Sequence, residues 1–454
     1  MKKLEKQNQI QLIEPKQKDL TNILEFVLSE AKKKGVDQAE VAATHSTGLN
    51  VTARLGDTEV LEYANDRGVG ITIYNGMRKG NASTSDFSIS ALQETLEKAC
   101  VFAKHTAADK FSGLADPDNL ASSPFPNLDC KHKWDLSVDE AINMAINCEE
   151  IALTFDPRIS NSEGASVTTR VTAKAYGNTH GFLDCYTTTN HSISCVVVGH
   201  SSDEMQRDYW YSSARDSKDL DSLRQIGKKA AKRTLNRLGA KKIKTTNAPV
   251  VFSPELARGF LGHAIAAITG SAQYRKSSFL LDAVGKQIFP EFLQIQERPH
   301  IKKGMASKVY DAEGVATNDR ELVVDGILQE YVLSSYSARR LGLKTTGNAG
   351  GTHNLVVPGN VSGKKEIIKT LSRGFLVQEL IGQGVNGVTG DYSRGAVGYW
   401  IEDGQVSYPV HEVTIAGNLL DLYKRISMVG NDQDVRGGFR CGSLLVDDMK
   451  IAGT

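Results

Sequence analysis

Residues 39–55, AEVAATHSTGLNVTARL, and 58–84, TEVLEYANDRGVGITIYNGMRKGNAST, alternate apolar and polar side chains over unusual lengths. A period of two places one set of side chains on each face of a strand, so these stretches predict long strands buried on one side. Asn75-Gly76 marks a type I′ hairpin turn within the second stretch. Helical patterns lie outside these runs and do not alternate with them. Asp19 to Lys34 is amphipathic and is stopped by Gly35. A helix follows in SALQETLEKACVFAKH, opened by a capping box of Ser90 and Gln93, and another starts at a second box, Ser137 with Glu140, and runs to about Thr154. A strand meander spans about Ser166 to Gly199, with turns at Gly177-Asn178 and near Asn190. The basic helix LDSLRQIGKKAAKRTLNRLG closes this half.

From about Lys241 the pattern changes to short strands broken by glycine turns such as DAEG, VDGIL, GNAGG and IEDGQV, with the helical pieces KKEIIKTLSRG and NLLDLYKRIS between them. Segregated helices and mostly antiparallel strands define an α+β chain. Its expected parts are a disordered leader over residues 1–18, an N-terminal α+β region over 19–240 with sub-regions at about 19–115 and 128–240, and a β-rich C-terminal domain over 241–454.

The formal net charge of +1 implies no nucleic-acid or membrane partner. Six cysteines lie scattered without Cys-x-x-Cys spacing, which points to a reducing compartment. The basic N-terminus lacks the apolar core of a signal peptide, and no apolar run approaches bilayer length. A cytoplasmic protein is expected.

The chemistry centres on FLGHAIAAITGSA, Phe260 to Ala272, a helix begun by Ser253-Pro254-Glu255. Zinc-protease helices present two imidazoles to one ion, with a glutamate beside the first as general base. Here Ala264 follows His263, and Ala267 stands four residues on. No register gives two ligands and a base. Gly382-Gln-Gly-Val-Asn-Gly387 matches G-x-G-x-x-G but is followed by VTGDYSRGAVGYW, which is no helix start, so a dinucleotide site is rejected. Cys441 reads as a buried strand thiol, and Ser334 to Ser337 in LSSYSARR as a satisfied turn. Eight basic residues and no acid lie between Lys228 and Lys244. With no aromatic residue to stack on bases, they read as a solvated helix face and linker.

Several stretches resemble the TldD/PmbA (TldE) metalloprotease family. They are GMRKGNASTSD, TAADKFSGLADP, SEGASV and YGNTHGF, then LSSYSARRLGLKTTGNAGGTHNLVVPG, the long motif from Glu379 to Asp421, and VGND. The resemblance covers nearly the whole chain after residue 20. It implies two related chain types. One carries H-E-x-x-x-H on a helix and a cysteine ligand near its C-terminus. The other lacks this motif, and the present sequence fits that second type. Gly262 takes the first His position, His263 the Glu position and Ala267 the second His position, while the cysteine region falls near Met428 or Val429.

The resemblance therefore implies that this chain binds no cofactor of its own. Zinc is expected in a TldD-like catalytic subunit with which it forms a heterodimer. The substrates would be unfolded peptides, since the family is linked to cutting leader peptides from microcin-type precursors and to degrading an antitoxin. A homodimer of the free chain is a further expectation. Peptide could add as a strand to an exposed edge near Gly347, Gly350 and Gly351, with Gly350, Gly351, His353 and Asn354 as candidate peptide contacts. A second reading follows the family's older description as a modulator of DNA gyrase and rests on the Lys228 to Lys244 segment. A third, an independent metalloprotease using His180, His191, His353 and His411, lacks ligand spacing and ranks last.

Overall fold

The computed structural model describes residues 14–202 and 204–453. The first helix, α1 (Gln17–Lys33), forms where Leu20, Ile23, Leu24, Val27 and Ala31 recur on one face, and all five are buried. Gln17 and Lys18 are thus helical, which shortens the expected leader; residues 1–13 lie outside the described residues. The strands are as long as their alternation suggests: β1 (Gln38–Arg54), β2 (Asp57–Asn75) and β3 (Arg78–Thr84). After α2 (Ile89–His105) and α3 (Val138–Leu153) come β4 (Ile159–Asn178), β5 (Leu183–Ser201), β6 (Glu204–Ala214) and α4 (Leu223–Leu235).

The six strands form one antiparallel sheet in the order β3-β2-β1-β4-β5-β6. Odd-numbered residues of β1 supply a core at each end of the strand. Ala39, Val41 and Ala43 pack with α1 and α2, whereas Leu49, Val51 and Ala53 pack with α3 and α4.

Three local expectations are corrected and one holds. The β2–β3 turn is centred on Gly76 and Met77, both at positive φ, because Asn75 pairs with Arg78. This is one residue later than the Asn-Gly signal suggests, and only glycine meets the first such position without a Cβ penalty. Ser88, not Ser90, caps α2, accepting from Ala91 N at 3.4 Å. Asn190 does not break the meander, since it pairs with Arg170 in the middle of β5. The Ser137–Glu140 capping box is present as read.

The second unit comprises β7 (Thr246–Phe252), α5 (Pro254–Ala267), α6 (Gly270–Tyr274), β8 (Ile295–Glu297), β9 (Arg320–Val324), β10 (Ile327–Leu328), α7 (Ser335–Leu341), β11 (Leu355–Val356) and α8 (Lys364–Lys369). It continues through β12 (Arg373–Ile381), β13 (Asp391–Glu402), β14 (Gln405–Asn418), α9 (Leu419–Lys424), β15 (Ile426–Val429), β16 (Phe439–Arg440) and β17 (Leu444–Ala452). The larger sheet runs β14-β13-β12-β7-β17-β15, and an extra β14–β17 pairing joins five of its strands into a ring. The smaller sheet runs β10-β9-β8-β11-β16. Apart from the β7–β12 and β11–β16 pairs, the ladders are antiparallel, so the fold is α+β.

The chain divides after Leu235, and Tyr310–Ala316 belongs to the first unit. There Tyr310 meets Phe182 edge to face, and Gly314 O accepts from Ala121 N. The sequence places this short segment with the C-terminal part; its aromatic contact decides otherwise. Among the described residues, no helix is long and apolar enough to cross a membrane.

Candidate functional site

Helix α5 is fixed by an aromatic cluster. Phe260 stacks on Phe252 with ring centroids 4.7 Å apart and meets Tyr392 and Tyr423 edge to face. The Tyr423 hydroxyl donates to Phe260 O at 3.0 Å. Pro254 opens the helix as read, but the Ser253 hydroxyl makes no capping bond. At the other end, Ala267 O accepts from Gln273 Nε2 and Ser278 Oγ, each at 2.7 Å. These bonds satisfy a carbonyl that the helix leaves open, and they pin the following turn against its end.

That turn supplies one wall of a cavity of about 280 Å³. His263, Ala266 and Ala267 of α5 form the second wall, and Ser277 and Phe279 the first. The third comes from the loop joining β12 to β13, through Gln383, Val385 and Gly387, with Arg394 from β13. Phe279 N donates to Gly387 O at 3.0 Å, which ties two walls together. Gly384 holds the loop close to its own hairpin, since a Cβ there would lie 1.8 Å from Ser393 O. The glycines of the G-x-G-x-x-G match therefore shape a hairpin loop. It leads into β13 and not into a helix, as the rejection of a dinucleotide site requires.

The cavity's electrostatics are one-sided. Burial lowers the pKa of His263, and the charge of Arg394 lowers it further. Arg394 Nε is buried without a hydrogen-bond partner, and so is the Tyr392 hydroxyl. Tyr392 lies edge to face against His263, with centroids 6.0 Å apart. A zinc ion calls for three or four electron-pair donors. This lining offers one imidazole, and the guanidinium beside it opposes a cation. The residues do not fit a metal, whereas they suit an anion.

Of the three motif positions, His263 and Ala267 line this cavity, and a Cβ at Gly262 would meet open space. Val429 shares the core with Ala264 and Ala267, while Met428 packs against the other core of the sheet. Of the two positions read for the family's cysteine, it is Val429 that joins the helix's side. Cys441 is buried as expected, and its burial pushes the thiol far above its ordinary value, away from the metal-binding thiolate.

The remaining candidates lie elsewhere. Gly351 has positive φ and open space around its Cα, so it serves a turn and makes no close approach. Gly347 and Gly350 also have positive φ. The segment is a loop and not a sheet edge. His353 and Asn354, the other two candidate peptide contacts, are buried. His353 N donates to Glu297 Oε1 at 2.7 Å and its ring pairs with Gly347 O, while Asn354 bonds Arg298 O, Ser307 Oγ and Ala306 N. Ser334 and Ser337 form a capping box that starts α7, in place of the expected turn.

His180 pairs with Ala115 O, and His191 with Thr169 Oγ1 and His132 O. Among the described residues, no group of three His, Cys, Asp or Glu side chains is placed to share a metal ion. Ser277, Phe279, Gln383 and Arg394 escaped the sequence reading. Only Arg394 left a signal, as a lone cation in the glycine- and aromatic-rich run VTGDYSRGAVGYW. A cavity of about 370 Å³ in the first unit, along α3 beside Trp134 and Met144, is lined by the acids Asp135 and Glu140 and by no cation.

The chain matches the PmbA/TldA metallopeptidase domains in order: domain 1 over residues 39–103, the central domain over 131–238 and the C-terminal domain over 245–453. It is 45% identical to Metalloprotease PmbA of Escherichia coli O157:H7 over 444 residues, 98% of each chain. It is 24% identical to the Metalloprotease TldD homolog of Buchnera aphidicola subsp. Acyrthosiphon pisum, across 86% of this chain and 88% of that one. A crystal structure of a putative modulator of DNA gyrase from Bacteroides thetaiotaomicron superposes with a TM-score of 0.91 at 28% identity, covering 95% of this chain and 98% of the other. Fold and sequence together define a chain built on a metallopeptidase scaffold. It belongs to the PmbA/TldD metallopeptidase family, with far higher identity to the PmbA chain than to the TldD chain.

Proposed function

We propose that this chain is the non-catalytic subunit of a zinc peptidase that acts on unfolded peptides in the cytoplasm. A TldD-like partner, joined as a heterodimer, supplies the metal, the glutamate base and the activated water. The observation that carries this reading is the make-up of the cavity at α5. Glycine and alanine stand where the family's helix has two imidazoles, and Arg394 sits where a cation would be repelled. The chain contributes a wall that shapes the peptide path. When bound in the partner, zinc supplies a nucleophilic hydroxide near neutral pH. Mixing this chain with a TldD-type chain should give zinc-dependent cleavage of an unfolded peptide that neither gives alone. Full activity of the partner by itself would refute the proposal.

The gyrase-modulator reading gains little support from the basic segment. Lys229 lies over the Trp210 ring at 3.4 Å, and Arg233 pairs with Asp208 at 3.1 Å. Further along, Arg237 pairs with Glu379, Lys241 lies over Tyr408 and Lys242 pairs with Glu412. Most of the segment's cations thus have intramolecular partners.

A further inference from the structure

We propose that the cavity beside α5 is a carboxylate-binding site for peptide, with Arg394 as its anchor and His263 and Gln383 as its flanking polar groups. The proposal rests on the peptidase reading only in taking the carboxylate from a peptide. Three observations support it. The first is the state of Arg394. A guanidinium has five N–H donors and stays charged at any pH a protein meets. Its Nε is buried here, lacks a hydrogen-bond partner and lines a cavity whose described residues include no acid. The residue as a whole is half-buried, so its Nε is left without the hydrogen bond that water would give while the rest of the fork can still be reached, and a carboxylate offers the planar pair of oxygens that matches that fork.

The second observation is His263. Its ring faces the same space and is held toward the neutral form, which can still donate one hydrogen bond. The third is shape. The exposed residues Ala266, Ser277, Gln383 and Gly387 keep the cavity open to solvent, whereas Ala267 lies buried in its wall. Its volume of about 280 Å³ falls at the lower end of the roughly 300–1,000 Å³ usual for small-molecule sites. It suits a single terminal residue or one acidic side chain, with Phe279 and Val385 against the aliphatic part.

The test uses the purified full chain and three N-acetylated alanine tripeptides. One ends in a free carboxylate, one in an amide, and one is an amide that carries a single glutamate. Binding is followed by calorimetry and by the NMR titration of the His263 ring. The free acid, the glutamate peptide or both should bind at least about tenfold more tightly than the plain amide, since a charge-assisted bond is lost. The stronger of the two identifies the source of the carboxylate. Binding should also raise the pKa of His263, because the incoming anion offsets the charge of Arg394.

Arg394→Gln should erase the preference, and Arg394→Lys should keep part of it. Unchanged resonances elsewhere in the NMR spectrum establish that the variants are folded. Equal binding of acid and amide, unchanged binding by Arg394→Gln, or binding of inorganic phosphate but of no peptide would overturn the proposal. Loss of this preference would leave cleavage by the mixed chains untouched as a separate result, so the two readings fail independently.

Discussion

The guanidinium of Arg320 lies 2.6 Å from the carboxylate of Glu297, with the two side chains 11% and 1% exposed. Glu297 also accepts from Asn348 Nδ2 and His353 N, and Arg320 donates to Asn348 Oδ1. One buried pair thereby ties β8 and β9 to the GNAGG loop. Removing one partner leaves an uncompensated charge. Arg320→Met should cost about 3–5 kcal/mol, and Arg320→Lys should cost less, because an ammonium keeps the charge without the fork. Urea unfolding of the two variants checks both the size and the order.

Two glycines near the cavity should respond in opposite directions. Gly384→Ala forces a Cβ into Ser393 O and should cost about 1–3 kcal/mol. Gly262→Ala adds a methyl group to open space inside a helix and should gain about 0.5–1 kcal/mol. The shift of the denaturation midpoint decides each sign.

These glycines also show what the sequence could reveal. Alternation in β1 and in β2 from Gly68 onward and the Ser137–Glu140 box are local, and they survive folding, whereas the first part of β2, up to Arg67, buries neither face. Asn190 misleads because β4 and β6 hold β5 from both sides, so tertiary pairing overrides a turn-forming residue. The helix that carries His263 is legible in the same local way. Arg394 lies 131 positions further along, and only the β12–β13 hairpin brings it to the same cavity. His353 looks available because a loop histidine among glycines resembles a contact residue. Its burial follows from Glu297, which no local pattern announces.

Acid should weaken the fold through its histidines. Burial holds His191, His263 and His353 below the ordinary imidazole value of 6.5. Below about pH 6.5 the unfolded chain therefore binds more protons than the folded one. Their contribution is fully present above that pH and is lost as pH falls toward the lowered folded values. Urea midpoints at pH 7.5, 6.5 and 5.5 (on the order of one unit either side of the imidazole value) should decline, and the decline should be shallower for His263→Gln.

Duplex DNA should bind weakly. With Lys229, Arg233, Arg237, Lys241 and Lys242 all occupied within the chain, few cations are left to displace counterions. Titrations between roughly 50 and 200 mM salt should show little of the 10³–10⁵ loss typical of multi-phosphate contacts. A steep salt dependence, removed by neutralising Lys228, Lys232 and Lys244, would restore the gyrase-modulator reading.

The most direct test of the account is the metal content of the chain purified alone, after equilibration with zinc and exhaustive buffer exchange. Far less than one zinc per chain and no peptide hydrolysis are expected, because the side chains at residues 262 and 267 carry no donor atoms. One tightly held zinc per chain, with hydrolysis that chelation abolishes, would contradict it.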